Sequence, residues 1–229
     1  MSQDQRQFNM RVQSLLNYLG ADPKLLVDGA VGPKTNVAIS KALAKYINVD
    51  ITPPGSTKPF WVAGMEKKIG WTEFDHDAEI SQHWPIVGLN YKTVIGTSHA
   101  WCGLACAIEL HEGGVQIPKN AAGAANWEKD KTWSEPCAYI CGAFLPIRHA
   151  GGGRHITIFL YWHDEKNKIA ACLGGNQNNA YRISLYNLSG NANGHDEVVG
   201  GPVWPKDYPQ TGYVYPQANI VTGGTETTR

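Results

Sequence analysis

The chain has no excess of either charge: 20 lysines and arginines stand against 20 aspartates and glutamates, a formal net charge of zero at neutral pH. That balance supplies no electrostatic footprint for a nucleic acid or an anionic membrane surface. No apolar run approaches the roughly 20 residues that a membrane-spanning helix requires. The opening stretch from Met1 to Gln7 is polar and lacks the apolar core of a secretory signal. The chain is therefore expected to be made and kept in the cytoplasm unless something else releases it. Cysteine is odd in number, at five residues, which fits a reducing compartment better than a disulfide framework.

What is present is enough for one substantial core and a small accessory module: 229 residues, 42% of them hydrophobic. The most informative stretch is Trp101-Cys102-Gly103-Leu104-Ala105-Cys106-Ala107-Ile108-Glu109-Leu110, which reads as the start of a helix with a cysteine in its first turn. Unpaired N–H groups and the positive dipole end at a helix start both favour a thiolate, the form of cysteine that attacks carbonyl carbon. Cys102 is thus the candidate nucleophile. The pairs Cys102-x-x-x-Cys106 and Cys137-x-x-x-Cys141 have gaps that structural zinc tolerates, but the tight two-residue knuckle is missing and the helix would bury Cys106. Neither a metal nor another cofactor is expected. Asp75-His76-Asp77 and His83 read as a polar loop rather than as ligands.

Downstream, Arg154 to Trp162 and Lys168 to Leu173 are apolar, β-branched and aromatic runs flanking the polar break His163-Asp164-Glu165-Lys166-Asn167, the pattern of an antiparallel hairpin. A turn centred between Glu165 and Lys166 sets His163 opposite Lys168 and, carried back along the ladder, His155 opposite Asn176. Opposed residues point to one face with Cβ atoms roughly 5 Å apart. An imidazole beside an amide is what a Cys/His site needs, because the amide fixes one ring nitrogen and leaves the other for sulfur. A slip of one residue would separate the two across the sheet. His195 and Asp196, in a long polar loop from Asn187 to Gly201, are a weaker second choice for the base and its partner.

Trp101-Cys102 opening a helix, His155 opening a strand and Leu173-Gly174-Gly175-Asn176-Gln177 after the next one resemble the NlpC-type and CHAP-type papain-like cell-wall hydrolases, closest to their phage-associated branch. The resemblance extends to Trp61-Val62-Ala63, Gly70-Trp71-Thr72-Glu73 and Pro202-Val203-Trp204-Pro205, roughly residues 60 to 206. It implies Cys102 as nucleophile, His155 as base and Asn176 as the orienting third residue, with Trp101 and Gln177 beside the substrate. Three positions depart from the pattern: Ala100 stands for the proline before Trp101, Arg154 for the glycine before the histidine, and Gly142-Ala143 for glycine-aspartate. None removes a catalytic atom.

Near the N-terminus Phe8, Val12, Leu15, Leu16 and Leu19 recur at helical spacing, predicting an amphipathic helix that ends at Gly20. Asp28-Gly29-Ala30-Val31-Gly32-Pro33-Lys34-Thr35 then forms a tight loop, and Pro33 opens a second helix bearing Val37, Ile39, Leu43 and Tyr46. Two helices around this loop resemble the small peptidoglycan-binding domain found beside many wall hydrolases, and imply wall contact at Asp28, Gly29 and Thr35. The expected layout is a helical domain over 1–50, a Pro/Gly-rich linker over 51–59, a hydrolase domain over 60–216 and a polar tail over 217–229.

Within the larger domain, helices are expected from Trp61 to Ile69, from Glu79 to Trp84 and over the small residues before Trp127. Strands are expected from Cys137 to Leu145 and from Tyr181 to Leu185. The fold class is α+β, a papain-like domain with the cysteine helix packed on an antiparallel sheet, preceded by a small all-α domain. By the resemblance the partner is bacterial peptidoglycan, with no nucleic acid or membrane and a monomeric chain. The implied setting is that of an endolysin, made in a host cytoplasm and admitted late to the wall. An injected effector with the same chemistry and a catalytically silent wall binder are the rival readings. For the oxyanion, the backbone N–H of Cys102 is one donor, and Ser98 and His99 are within sequence reach of being the second.

Overall fold

The structure is a computed structural model and describes residues 2–18, 20–21, 24–32, 34–39, 57–96 and 100–216. Its architecture is α+β, with a seven-stranded antiparallel sheet and a few helices. The helices used below are α1 (Gln3–Tyr18), α2 (Phe60–Glu66), α3 (Asp77–Ser81), α4 (Cys102–Glu112) and α5 (Asn126–Lys129). The strands are β1 (Ser134–Pro136), β2 (Phe144–Arg148), β3 (Arg154–Asp164), β4 (Ile169–Gly174), β5 (Arg182–Asn187), β6 (Glu197–Val198) and β7 (Val203–Pro205). Their order across the sheet is β1-β7-β2-β3-β4-β5, and β6 pairs with β2. Among the described residues no helix is long and apolar enough to cross a membrane.

Helix α4 is buried along nearly its whole length, from Cys102 to Leu110: its residues are small or aliphatic except Glu109, which is paired with Lys68. Glycine makes the closest of these contacts. A Cβ on Gly103 would overlap the carbonyl oxygens of Ala121 and Ala122, and one on Gly175 would strike the Ala105 methyl and the Trp101 ring. The core between the helices and the sheet is aromatic. Phe144 of β2 lies 5.8 Å from Trp61, 5.4 Å from Trp127 and 5.6 Å from Trp133, and Trp61 is 5.0 Å from Trp204. Each such side chain removes roughly 150–250 Å² from water, so this cluster buries much apolar surface at the centre of the core.

Several boundaries differ from the sequence reading. The first long strand is Phe144–Arg148 rather than Cys137 to Leu145, because Gly142 takes φ 98° and its N–H bonds back to the Phe159 carbonyl at 2.8 Å, turning the chain before β2 begins. Pro85 lies inside a short 3-10 helix (Trp84–Val87) instead of closing the α-helix before it. The small-residue stretch before Trp127 is a series of turns, and only Asn126–Lys129 is helical.

The β3/β4 hairpin keeps the expected register at its inner end, with Ile158 opposite Leu173 and Phe159 opposite Cys172. Its outer end does not. Irregularities between Phe159 and Tyr161 and between Trp162 and Asp164 displace the pairing, so that Asp164 faces Ile169 and the predicted His163–Lys168 pair is absent.

At the N-terminus, α1 presents a different face to its loop than apolar spacing predicts. Phe8 is 62% and Leu15 56% exposed, whereas Asn9, Gln13 and Leu16 are buried. The reason is hydrogen bonding: Gln13 Nε2 donates to the Ala30 carbonyl at 2.7 Å, Gln13 Oε1 accepts from Gly29 N–H at 2.9 Å, and Asn9 Nδ2 donates to the Gly29 carbonyl at 2.9 Å. Residues 34–39 are helical. Leu19, Pro33, Leu43 and Tyr46, the linker over 51–56 and the tail from 217 lie outside the described residues.

Candidate active site

The site begins where β4 ends. Val199 N–H donates to the Pro146 carbonyl at 2.8 Å, so Pro146 of β2 faces β6, and its ladder partner Ile156 turns its own N–H and C=O away from β2. On that side β4 has already stopped at Gly174, leaving the Ile156 peptide groups without a strand partner. Helix α4 fills the gap with its two cysteines. The Cys106 thiol donates to the Ile156 carbonyl at 3.9 Å, and the Ile156 N–H faces the sulfur of Cys102. The sulfur therefore meets β3 at the peptide that joins His155 to Ile156.

Cys102 is 2% exposed. Burial pushes its thiol above the ordinary range, while the N–H groups of Ile156, Gly103 and Cys102 itself pull the other way by favouring the thiolate. The helix start contributes, but desolvation is the larger effect.

His155 leaves β3 on the side of Thr157, two residues on. Its Nε2 lies 3.3 Å from Gln177 Oε1. The orientation of that amide follows from its other bonds: Gln177 Nε2 donates to the carbonyls of Arg182 at 2.6 Å and Cys172 at 3.3 Å, and approaches Ser184 Oγ at 3.1 Å. Carbonyls only accept, so Oε1 must be the atom facing the imidazole. The ring then carries its proton on Nε2, and Nδ1 holds the lone pair. Tyr186 Oη also donates to Oε1 at 3.2 Å. Burial, reinforced by the neighbouring His149, pushes His155 down to about 4 against the opposing effects of Gln177 and Asp196. At neutral pH both members of the pair are thus uncharged, and among the described residues no hydrogen bond joins the sulfur to the ring.

The amide that holds the ring is Gln177, fully buried, whereas Asn176 is half-buried at φ 56° in the turn that follows Gly174. The register that aligns 155 with 176 is real at Ile158↔Leu173, but the ladder ends before reaching it. Trp101, fully buried, donates from Nε1 to Glu73 Oε2 at 3.3 Å and packs 5.1 Å from Tyr181. It is a wall of the fold beside Cys102. Ser98 and His99 lie outside the described residues.

Of the N-terminal residues, Gly29 and Thr35 are buried. Asp28 Oδ1 accepts from Ala30 N–H at 2.8 Å and from Gln13 at 3.1 Å. Asp28 and Thr35 line an open cavity of about 250 Å³ together with Gln13, Leu25, Lys34 and Asp207.

Sequence reasoning missed His149 and the partner of Asp196. The carboxylate Oδ1 of Asp196 sits 3.2 Å from His149 Nδ1, and His195, its neighbour in the chain, is exposed. Cys137 and Cys141 lie in the loop before β2, and among the described residues no group of three or more potential ligands could hold a metal ion. Comparison with protein-family models, with curated proteins and with solved structures returned no match.

Proposed function

We propose that the chain is a papain-like thiol hydrolase that cleaves a peptide or amide bond of bacterial peptidoglycan, in the manner of an endolysin, with residues 1–50 acting as a small all-α wall-binding domain. One observation carries the chemistry: a cysteine at a helix start meets β3 at the peptide next to an imidazole whose proton is fixed on Nε2 by Gln177. The wall as substrate rests on the motif resemblance and on the Asp-Gly-x-x-Gly-Pro loop beside α1.

In this reading His155 Nδ1 takes the Cys102 proton as the sulfur attacks the carbonyl carbon. The C–S bond forms, the C–N bond breaks, and the leaving amine departs with the proton from His155. Water, deprotonated by the same ring, then releases the acyl group and restores the thiol. The Cys102 backbone N–H, at the helix start beside the sulfur, would turn to the oxyanion as the sulfur is consumed in the C–S bond. The neutral resting pair means that charge separates only as the substrate carbonyl arrives and water is displaced. The wall-binding domain would raise the effective concentration of enzyme on an insoluble polymer without touching the chemistry.

A catalytically silent wall binder is the second reading, favoured by the buried, neutral state of Cys102. Substituting Cys102→Ala separates the two. Mass spectrometry of fragments released from purified sacculi should show cleavage by the parent chain and none by the variant, with the new termini identifying the bond. Release of no fragments by the folded parent chain would leave only the silent reading.

A further inference from the structure

Three rings stand together beyond the end of β2. His155 is 5.8 Å from Tyr186 and 6.0 Å from His149, and His149 is 6.3 Å from Tyr186, with interplanar angles of 23°, 31° and 25°. His149 reaches this position because it follows Ile147 by two residues, and Ile147 is the ladder partner of His155. Its backbone is held by the Gly153 carbonyl at 3.3 Å. Its Nδ1 faces Asp196, which is itself fixed by Ala150 N–H on Oδ1 at 3.3 Å and by its own backbone N–H on the Asn187 carbonyl at 3.0 Å. Both side chains are largely buried, 11% and 16% exposed. An imidazole and a carboxylate held this firmly beside a second imidazole are more than packing requires, since an apolar ring would fill the same space without needing a counter-ion.

We propose that His149, clamped by Asp196, is a positioning residue for His155: a second imidazole that, in its protonated form, keeps the first one neutral with Nδ1 available to the thiol. The proposal rests on the hydrolase reading for its purpose, though not for its physics. A positive charge on His149, whose ring centre is 6.0 Å from that of His155, disfavours a second one there, and the Asp196 carboxylate offsets this effect only in part. His149 therefore resists protonation of His155, and Asp196 neutralises the cost of carrying that charge. The depressed basicity of His155 has the neighbouring His149 as its largest cause after burial. The other charged groups around the pair are matched among themselves: Arg148 lies 3.5 Å from Glu197 on β6, and Arg154 lies 2.6 Å from Glu128 on α5. Tyr186 on β5 contributes a neutral hydroxyl already committed to Gln177.

The test is an NMR titration of the imidazole resonances of the full chain, with the His155 signal assigned through His155→Gln. In the parent chain the His155 midpoint should lie well below that of an ordinary histidine. His149→Gln, which keeps size and polarity but cannot carry charge, should raise that midpoint by about one unit or more. His149→Lys, which keeps the charge, should hold it low, a rescue that a merely structural role would not produce. An unmoved midpoint in folded His149→Gln, or equal midpoints in the Gln and Lys variants, overturns the proposal. If His149→Gln fails to fold, His149→Asn supplies the neutral arm. The titration needs no substrate, so its failure is distinguishable from failure of the hydrolase reading, which the Cys102→Ala comparison decides.

Discussion

His155 Nε2 and Gln177 Oε1 are 3.3 Å apart, and the amide is oriented by bonds that leave its oxygen no other direction. Substituting Gln177→Ala removes that acceptor together with the bonds its Nε2 makes to the Arg182 and Cys172 carbonyls. The expected cost is about 2 to 4 kcal/mol of stability, since several hydrogen bonds in and beside the core are lost at once. The proposed wall-degrading activity should fall by roughly tenfold to a hundredfold, because the ring loses both its tautomer and its bearing. Asn176→Gly, by contrast, accepts φ 56° without strain and should keep most of the activity. Parallel melting curves and turbidity assays on the two variants decide the matter. Greater damage from Asn176→Gly would return the orienting role to Asn176.

The uncharged state of the pair predicts how Cys102 meets a small alkylating agent. A preformed thiolate–imidazolium pair would react with iodoacetamide at a rate already level near neutral pH. Here burial holds the thiol above its ordinary range and His155 near 4, so the proton stays on sulfur. Alkylation of the folded chain should be slow at pH 7 and climb through the alkaline range. Peptide mapping of the modified cysteine at several pH values measures it, and a flat profile between pH 5 and 8 would contradict the neutral pair.

Two buried groups pull the pH dependence of stability in opposite directions. His155 is pushed down to about 4, so between pH 6.5 and 4 the unfolded chain binds a proton that the folded chain refuses, and stability falls as pH falls. Glu109 on α4 is pushed up to about 7, chiefly by burial, even with the Lys68 ammonium 2.6 Å away. Between pH 4.5 and 7 the unfolded chain releases a proton that the folded chain retains, so stability falls as pH rises. Each effect is worth on the order of 3 kcal/mol across its window, and in the wild-type chain they largely cancel. Denaturant unfolding should therefore show Glu109→Gln gaining stability, relative to its own value at pH 4.5, as pH rises toward 7. His155→Gln should show the reverse slope.

Part of this site was legible in the residues and part was not, for identifiable reasons. The cysteine at a helix start and the register that brings 155 toward 176 follow from local pattern, and both are present at Cys102 and at Ile158↔Leu173. The exchange of Asn176 for Gln177 as the ring's partner is not a pattern error. A ladder that stops at Gly174 frees the chain to turn, and only then does the next amide curl back over Thr157. A strand ending at Leu145, as the apolar run predicts, gives His149 no place on the sheet. With β2 at Phe144–Arg148, the alternation through Ile147 leads directly to it. The inward face of α1 was misjudged because apolar spacing ignores amides that find backbone partners, as Asn9 and Gln13 do.

The tightest constraint on Cys102 is steric. Gly103, the residue after Cys102, sits against the Ala121 and Ala122 carbonyls with no room for a methyl group, and those partners are backbone, which cannot swing aside. Gly103→Ala should therefore push the first turn of α4 away from residues 121–122 or strain both, at about 2 to 4 kcal/mol. Because Cys102 reaches the Ile156 N–H through that same turn, activity should fall further than stability alone explains. Assays well below the melting temperature of the variant separate the two effects. Gly88→Ala, at a φ of 78° with open space around it, is the control: it introduces backbone strain without a steric clash and should lower the melting temperature while leaving the rate of the proposed wall cleavage intact. Equal loss of rate in both variants would mean that the helix start does not set the position of the sulfur.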